Sequence, residues 1–139
     1  CCCPSCCHHC GLLAALKDHG VPIALVSNKT GRYLRAEAEI LGWSSLFVNM
    51  IGATDAARDK PAPDPVHMAL AGTNLSAGPG IWFVGDAVPD MECAHATGCV
   101  PILLQGGTFS DEEFEKWPPR AEFATCVGLL ESFLNCARA

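Results

Sequence analysis

Two carboxylates four residues apart, Asp86 and Asp90, are candidates for metal chemistry in this sequence. They stand in Gly-Asp-Ala-Val-Pro-Asp, directly after the short apolar run Ile-Trp-Phe-Val at 81–84. Carboxylate oxygens are the ligands that Mg²⁺ prefers, so the spacing favours a magnesium site at Asp86 and Asp90. The alternative for Asp86 alone is that it caps the helix that follows.

A lysine, a hydroxyl and an amide are the other candidates. Lys60 opens the segment Lys-Pro-Ala-Pro-Asp-Pro, whose three prolines stiffen the backbone and would hold the lysine in place. Ser27 and Asn28 follow the apolar run 23–26, and the Ser27 hydroxyl could donate to a phosphate oxygen beside the N–H groups of the next helix. The ordinary alternatives are a solvated loop lysine for Lys60 and a helix cap for Ser27.

The elements that must position these residues alternate along the chain. Apolar runs predict strands at 22–27, 47–51, 81–85 and 100–104, with a brief strand at 123–124. Between them, helices are predicted at 30–41, 64–70, 89–97 and 127–134, the second capped by Asp64 with Pro65 at its first position. A further helix ends at Gly20, a short helix is predicted at 111–116, and 105–107 is a predicted loop.

This alternation predicts an α/β fold with a mainly parallel sheet. Ligands in such sheets bind outside the carboxyl ends of the strands. Ser27, Asn28, Lys60, Asp86 and Asp90 all follow predicted strands, so they are expected at one edge. No single residue makes the case; their order and their shared edge do.

Composition narrows the class of protein. The 139 residues are one domain's worth of chain, and 50% hydrophobic with 17% charged residues argues against disorder. The net charge is −6, with 15 acidic against 9 basic residues and no basic run, so neither nucleic acid nor an anionic membrane is expected as a partner. No apolar run is long enough to span a bilayer.

Six of the ten cysteines lie in residues 1–10, which we treat as an anomalous segment rather than a domain, leaving 11–139 as the folded unit. Adjacent cysteines cannot readily all face one tetrahedral zinc, although a small cysteine-rich metal-binding protein is an alternative. If the codons are TGC and CAC, a two-base shift would turn the segment into a leucine- and proline-containing run, so we interpret it as a reading-frame error or a mis-called start. The other four cysteines are scattered like buried thiols, which predicts a cytoplasmic protein. These are Cys93, Cys99, Cys126 and Cys136.

Three segments together resemble motifs two, three and four of the haloacid dehalogenase-like hydrolases, most closely the phosphoglycolate phosphatase-like enzymes. They are Val-Ser-Asn-Lys at 26–29, Lys-Pro-Ala-Pro-Asp-Pro at 60–65 and Val-Gly-Asp-Ala-Val-Pro-Asp at 84–90. The resemblance implies a Rossmann-like, three-layer core and hydrolysis of a small phosphorylated metabolite. It implies that Ser27 and Asn28 bind phosphate, that Lys60 is catalytic and binds phosphate, and that Asp86 ligates Mg²⁺ with support from Asp90.

The first motif of the family, Asp-x-Asp, occurs nowhere in the 139 residues. In the family its first aspartate is the nucleophile and its second the general acid and base. The chain thus resembles the C-terminal part of such an enzyme, without the cap and without the central strand expected between those ending at Val26 and Val84. We therefore expect an incomplete core, no activity of this chain alone, and self-association through exposed sheet edges. The alternative is a pseudoenzyme or interaction module that retains anion or metal binding.

Overall fold

A computed structural model of the protein describes residues 6–104 and 111–138. Helices and strands alternate through both ranges, as the sequence predicts. The strands are β1 Ala24–Thr30, β2 Asn49–Ala53, β3 Trp82–Gly85, β4 Val100–Leu104 and β5 Ala121–Phe123. The helices are α1 Cys6–Asp18, α2 Gly31–Ile40, α3 Asp64–Leu70, α4 Val88–Thr97 and α5 Cys126–Arg138, with a 3₁₀ turn at Asp111–Phe114.

The predicted element types are confirmed, and the differences lie at element ends. β1 runs past residue 27 to Thr30, because Thr30 pairs with Ala53 beyond an irregular stretch. The prediction that Asp64 caps α3 is wrong: the helix begins at Asp64 after Pro63, and the Asp64 carboxylate pairs with Arg58 instead. The predicted loop 105–107 lies outside the described residues.

The strands form two parallel sheets rather than one. β1 pairs with β2, with Val26 opposite Ile51, and the second sheet has the order β3-β4-β5. In that sheet Trp82 lies opposite Val100 and Ile102 opposite Ala121. Within the described residues no ladder joins β1 to β3, which is the position where the resemblance places a further strand.

Both faces of the second sheet are covered. Successive side chains of a strand point to opposite faces. Trp82 of β3 meets Phe133 of α5 edge-to-face, with ring centroids 5.0 Å apart. Its neighbour Phe83 packs on the other face against a cluster of Val66, Cys93 and Cys99, which joins α3 to α4. The second sheet is therefore the middle of three layers, and the α3–α4 cluster ties it to α3, which also packs on β1 and β2.

A second cluster holds α4 to β4. Met91, Leu103 and Phe114 are buried together, with Val88 and Trp117 packed around them. Since α4 contributes to both clusters, its position relative to the strands is fixed from two sides.

The four scattered cysteines are free thiols, and three are buried as expected. Cys136, near the end of α5, is exposed, contrary to expectation. Helix α1 crosses the predicted boundary between residues 10 and 11, and the division of the chain at that point stays a prediction. Across residues 6–104 and 111–138, none of the helices has both the length and the apolar character that a membrane span needs.

We predict that Leu103→Ala lowers the free energy of unfolding by about 2–5 kcal/mol, because it leaves a cavity at a side chain with no exposed surface. Urea denaturation of the purified chain measures the loss. The control is Val127→Ala, where the side chain is 57% exposed and the loss should stay below about 0.5 kcal/mol. Equal losses for the two variants would contradict the described core.

Candidate active site

Lys60 is a largely buried partner of an ion pair, not a solvated loop lysine. Its Nζ donates to Asp90 Oδ1 at 2.6 Å and lies 3.4 Å from the carbonyl oxygen of Val26. The side chains of Lys60 and Asp90 are only 12% and 10% exposed. A charge-assisted hydrogen bond of this length, largely removed from water, fixes the ammonium at the carboxyl end of β1.

Asp90 has two functions in this arrangement. Its Oδ1 accepts from Lys60, while its Oδ2 accepts from the backbone N–H groups of Asp86 at 3.2 Å and Ala87 at 3.3 Å. The carboxylate therefore satisfies free N–H groups at the positive end of α4. Asp86 is not the cap of this helix: the N-cap residue is Ala87, and Asp90, three residues further on, accepts its N–H as in a capping box.

Gly85, at the end of β3, leaves the space in which the Asp90 side chain lies against the strand. A Cβ at residue 85 would lie 2.2 Å from the Cβ of Asp90, far inside contact distance. Any side chain at this position would push the start of α4 away from β3, and with it the carboxylate that holds Lys60.

Ser27 and Asn28 lie in a bulge of β1. Val26 pairs with Ile51 and Thr30 with Ala53, so three residues of β1 stand opposite one residue of β2. Within the bulge, the N–H of Lys29 donates to Ser27 Oγ at 3.1 Å. Bulges of this kind re-aim side chains next to functional sites. Ser27 is not a helix cap, because α2 begins only after Thr30.

Asp86 presents an exposed carboxylate beside the buried pair. Its side chain makes no hydrogen bond or ion pair to the residues that the structure describes. A hard cation suits such a group. However, among residues 6–104 and 111–138 no three His, Cys, Asp or Glu side chains are grouped as a metal site requires. Among the described residues, Asp86 thus offers a free carboxylate while Asp90 binds Lys60, and the magnesium site at Asp86 and Asp90 stays a prediction.

The thiol of Cys93 lies under the site but cannot act as a nucleophile at neutral pH. Its Sγ donates to the carbonyl oxygen of Ala62 at 3.4 Å. Burial raises the pKa of Cys93 to about 11, and the nearby Lys60 charge offsets this only in part. The reactive thiolate is therefore scarce at pH 7.

The structure also contains an ion pair next to the bulge that no sequence motif indicates. Arg35 of α2 donates from Nη1 to Asp55 Oδ2 at 2.7 Å and from Nη2 to Oδ1 at 3.3 Å, and the N–H of Gly52 donates to Oδ2 at 2.8 Å. A signal was available in the glycines at 31 and 52, since glycine at the first position of a helix or within a strand often marks a close backbone approach.

The site thus brings Lys60, Asp90 and the bulge at Ser27 and Asn28 to the carboxyl edge of parallel strands, with Asp86 beside them. A model of the haloacid dehalogenase-like hydrolase family matches residues 4–103. The chain belongs to this family, and its relatives place it with the phosphoglycolate phosphatase-like members.

Two of these relatives are enzymes named phosphoglycolate phosphatase. That of Escherichia coli K12 is 34% identical over 124 residues, which cover 88% of this chain and 48% of the enzyme. That of Pectobacterium atrosepticum is 34% identical over 107 residues, covering 77% of this chain and 45% of the enzyme. The chain therefore spans about half the length of these relatives.

The fold agrees with a solved structure of the same superfamily. A haloacid dehalogenase-superfamily hydrolase from Ehrlichia chaffeensis superposes with a TM-score of 0.80 at 29% identity, over 92% of this chain and 57% of the hydrolase. The α/β core expected from the sequence is confirmed by this similarity. The individual roles of Ser27, Asn28, Lys60, Asp86 and Asp90 stay predictions.

We predict that Asp90→Ala lowers the free energy of unfolding by about 3–5 kcal/mol, because it leaves the Lys60 ammonium buried without its carboxylate. Urea denaturation measures the change. Glu37→Ala is the control, since it breaks the exposed ion pair of Lys29 with Glu37 and should cost no more than about 1 kcal/mol. A loss for Asp90→Ala as small as that of the control would show that Lys60 is not buried against Asp90.

Acid should weaken the fold through two aspartates. The hydrogen bond from Arg35 holds the pKa of Asp55 below its ordinary value of 3.8, and Arg58 does the same for the pKa of Asp64. Their stabilisation is fully present above the unfolded pKa and is lost as the pH falls through the lowered folded values. We expect the urea midpoint of Arg35→Gln to fall less than that of the parent between about pH 5 and about pH 3. Equal falls would contradict the pairing of Arg35 with Asp55.

Proposed function

We propose that this chain carries the phosphate-binding and charge-stabilising side of a Mg²⁺-dependent phosphatase site for a small phosphorylated metabolite. The observation that supports it most directly is the Lys60 ammonium, held between Asp90 and the carbonyl of Val26. A fixed cation that is largely shielded from water stabilises the charge of a transferring phosphoryl group. The names of the related enzymes suggest phosphoglycolate as the substrate.

Each side chain would have one task. The Ser27 hydroxyl and the Asn28 amide would donate to phosphoryl oxygens at the bulge of β1. Lys60 would neutralise phosphoryl charge, and Asp90 would hold Lys60 in place while it accepts N–H groups at the start of α4. Asp86 would supply one ligand to Mg²⁺, with the remaining ligands from outside the described residues. Bound Mg²⁺ would act as a Lewis acid toward the phosphoryl oxygens.

We also propose that this chain alone does not turn over substrate. No Asp-x-Asp is present to attack the phosphorus. Asp90 is committed to Lys60 and two N–H groups, and burial keeps the Cys93 thiol protonated at neutral pH. Binding would therefore remain, without formation of a covalent intermediate.

The missing nucleophile also favours a second candidate, a pseudoenzyme or interaction module that binds an anion or a metal without catalysis. The two candidates differ in what a nucleophile supplied in trans would do: it would restore hydrolysis to the first and not to the second. For both, a cytoplasmic location and the lack of nucleic-acid or membrane partners stay predictions.

We predict that the purified chain releases no phosphate from phosphoglycolate above the buffer rate, with or without Mg²⁺, in a colorimetric phosphate assay. The physical reason is that charge stabilisation without an attacking carboxylate leaves the chemical step uncatalysed. A Mg²⁺-dependent release that disappears in Asp86→Asn would overturn the predicted inactivity.

Inorganic phosphate should still bind, and calorimetric titration measures this. We expect Lys60→Met to weaken the affinity by at least about tenfold, the effect of losing one charged hydrogen bond. Lys116→Met removes the same charge from an exposed lysine and should leave the affinity unchanged. Equal affinities for the two variants would contradict the assigned role of Lys60.

Self-association is the expected behaviour of the two sheets. The strand edges of β1 and β3 that face away from β2 and β4 have no ladder partner among the described residues, and Val84 of β3 is 41% exposed. Unpaired edges with apolar side chains are templates for another chain. We predict oligomers by light scattering after gel filtration and a shift toward monomer in Val84→Lys. Val127→Lys, a charge added on α5, is the control, and a monomeric parent at all concentrations would overturn the prediction.

A further inference from the structure

Asp55 has a position that its ion pair with Arg35 alone does not explain. Its carboxylate contacts three separate pieces of backbone and side chain at the end of the first sheet. Oδ2 accepts from the N–H of Gly52 at the end of β2 and from Arg35 one turn into α2, and the side chain is 18% exposed. The same oxygen lies so close to Gly31 that a Cβ at that residue would be 2.3 Å from it.

Gly52, which donates to Asp55, also lies against the bulge of β1. It is the single residue of β2 opposite the three bulged residues of β1. A Cβ at residue 52 would lie 2.5 Å from the carbonyl oxygen of Lys29 and 2.4 Å from the Cα of Gly31. The backbone of β2 therefore lies directly against both the last bulged residue and the first residue of α2.

Arg35 connects α2 to this part of β2 and to Asp55. Besides its two hydrogen bonds to Asp55, its Nη1 donates to the carbonyl oxygen of Met50 at 3.3 Å. The guanidinium thus joins α2 to Met50 within β2 and to Asp55 just after β2, on the two sides of Gly52. A bidentate pair of this kind fixes orientation as well as distance.

We propose that Asp55, through Gly52 and Arg35, is the positioning residue that holds the bulge at Ser27 and Asn28 in its phosphate-binding conformation. We call the four residues Asp55, Arg35, Gly52 and Gly31 the clasp. The proposal rests on the proposed function for the ligand, but the geometric claim stands on the contacts alone. Asp55 does not touch the ligand; it acts through the backbone of β2 and the start of α2.

The test uses the full chain labelled with ¹⁵N, with hydrogen exchange of assigned amides and calorimetric titration with inorganic phosphate. In Asp55→Ala we expect the Gly52 amide to exchange at least about tenfold faster, new resonance positions for Ser27, Asn28 and Lys29, and a phosphate affinity about tenfold weaker. Asp55→Asn, which keeps an acceptor for Gly52, should restore most of the parent's behaviour in all three measurements.

Asp64→Ala is the matched control. Asp64 forms a similar two-bonded pair with Arg58 beside the start of α3 and is 22% exposed, but it has no contact with the bulge. It should cost a similar amount of stability while the bulge amides and the phosphate affinity stay as in the parent. A stability effect without a bulge effect in Asp55→Ala, matching this control, would overturn the proposal.

The remaining outcomes also support or reject the proposal. If Asp55→Ala does not fold, Arg35→Gln replaces it, because that variant keeps the acceptor for Gly52 and should disturb the bulge amides in the same direction to a smaller extent. Unchanged bulge amides in a folded Arg35→Gln would then reject the clasp. If the parent binds no phosphate, the proposed function fails, while the amide measurements still confirm or reject the clasp.

Discussion

The ion pair between Lys60 and Asp90 joins two parts of the chain that share no strand pairing. Lys60 follows the sheet of β1 and β2, and Asp90 lies in the first turn of the helix that packs on β3 and β4. The ammonium also reaches the carbonyl oxygen at Val26, so one side chain spans the carboxyl ends of both sheets. Together with the apolar cluster of Val66, Cys93 and Cys99, this pair sets how the two sheets meet.

Joining the two sheets through a buried pair of charges costs free energy. Removing a lysine and an aspartate from water costs several kcal/mol for each ion, which the attraction offsets only when the remaining polar atoms are satisfied. Here the second oxygen of Asp90 accepts two backbone N–H groups at the start of α4, and Gly85 leaves space for it. The contacts that offset the cost of burying the pair also direct Lys60 toward the edge where Ser27, Asn28 and Asp86 lie. The fold and the candidate site therefore depend on the same ion pair.

Much of this could be predicted from the sequence, because the information is local. The runs at 23–26 and 81–84 are apolar and short, and the turns around them contain glycine and proline. These features predict the strands and their order along the chain. Lys60 could be placed at the edge because it follows a strand within a proline-rich segment. Its burial could not, since nothing near residue 60 shows that Asp90 will pair with it.

The parts that sequence reasoning missed arise from contacts between distant residues. The extra residues of β1 look like an ordinary strand end, and only the pairing of Thr30 with Ala53 reveals the bulge. The spacing of Asp90 from Asp86 indicates a metal site, but it does not show the hydrogen bonds of Asp90 with Lys60 and with the start of α4. Asp55 and Arg35 are 20 residues apart and belong to no motif. In each case the deciding partner lies on another element, which spacing along the chain does not show.

A double-mutant cycle on Lys60→Met and Asp90→Asn tests the central claim, that these two residues stabilise the junction as a pair. Urea denaturation of the parent, both single variants and the double variant gives the coupling free energy. We predict a coupling of about 1–3 kcal/mol, with the double variant more stable than the sum of the single losses implies, because no charge is left buried alone. Losses that add to within about 0.5 kcal/mol would contradict it.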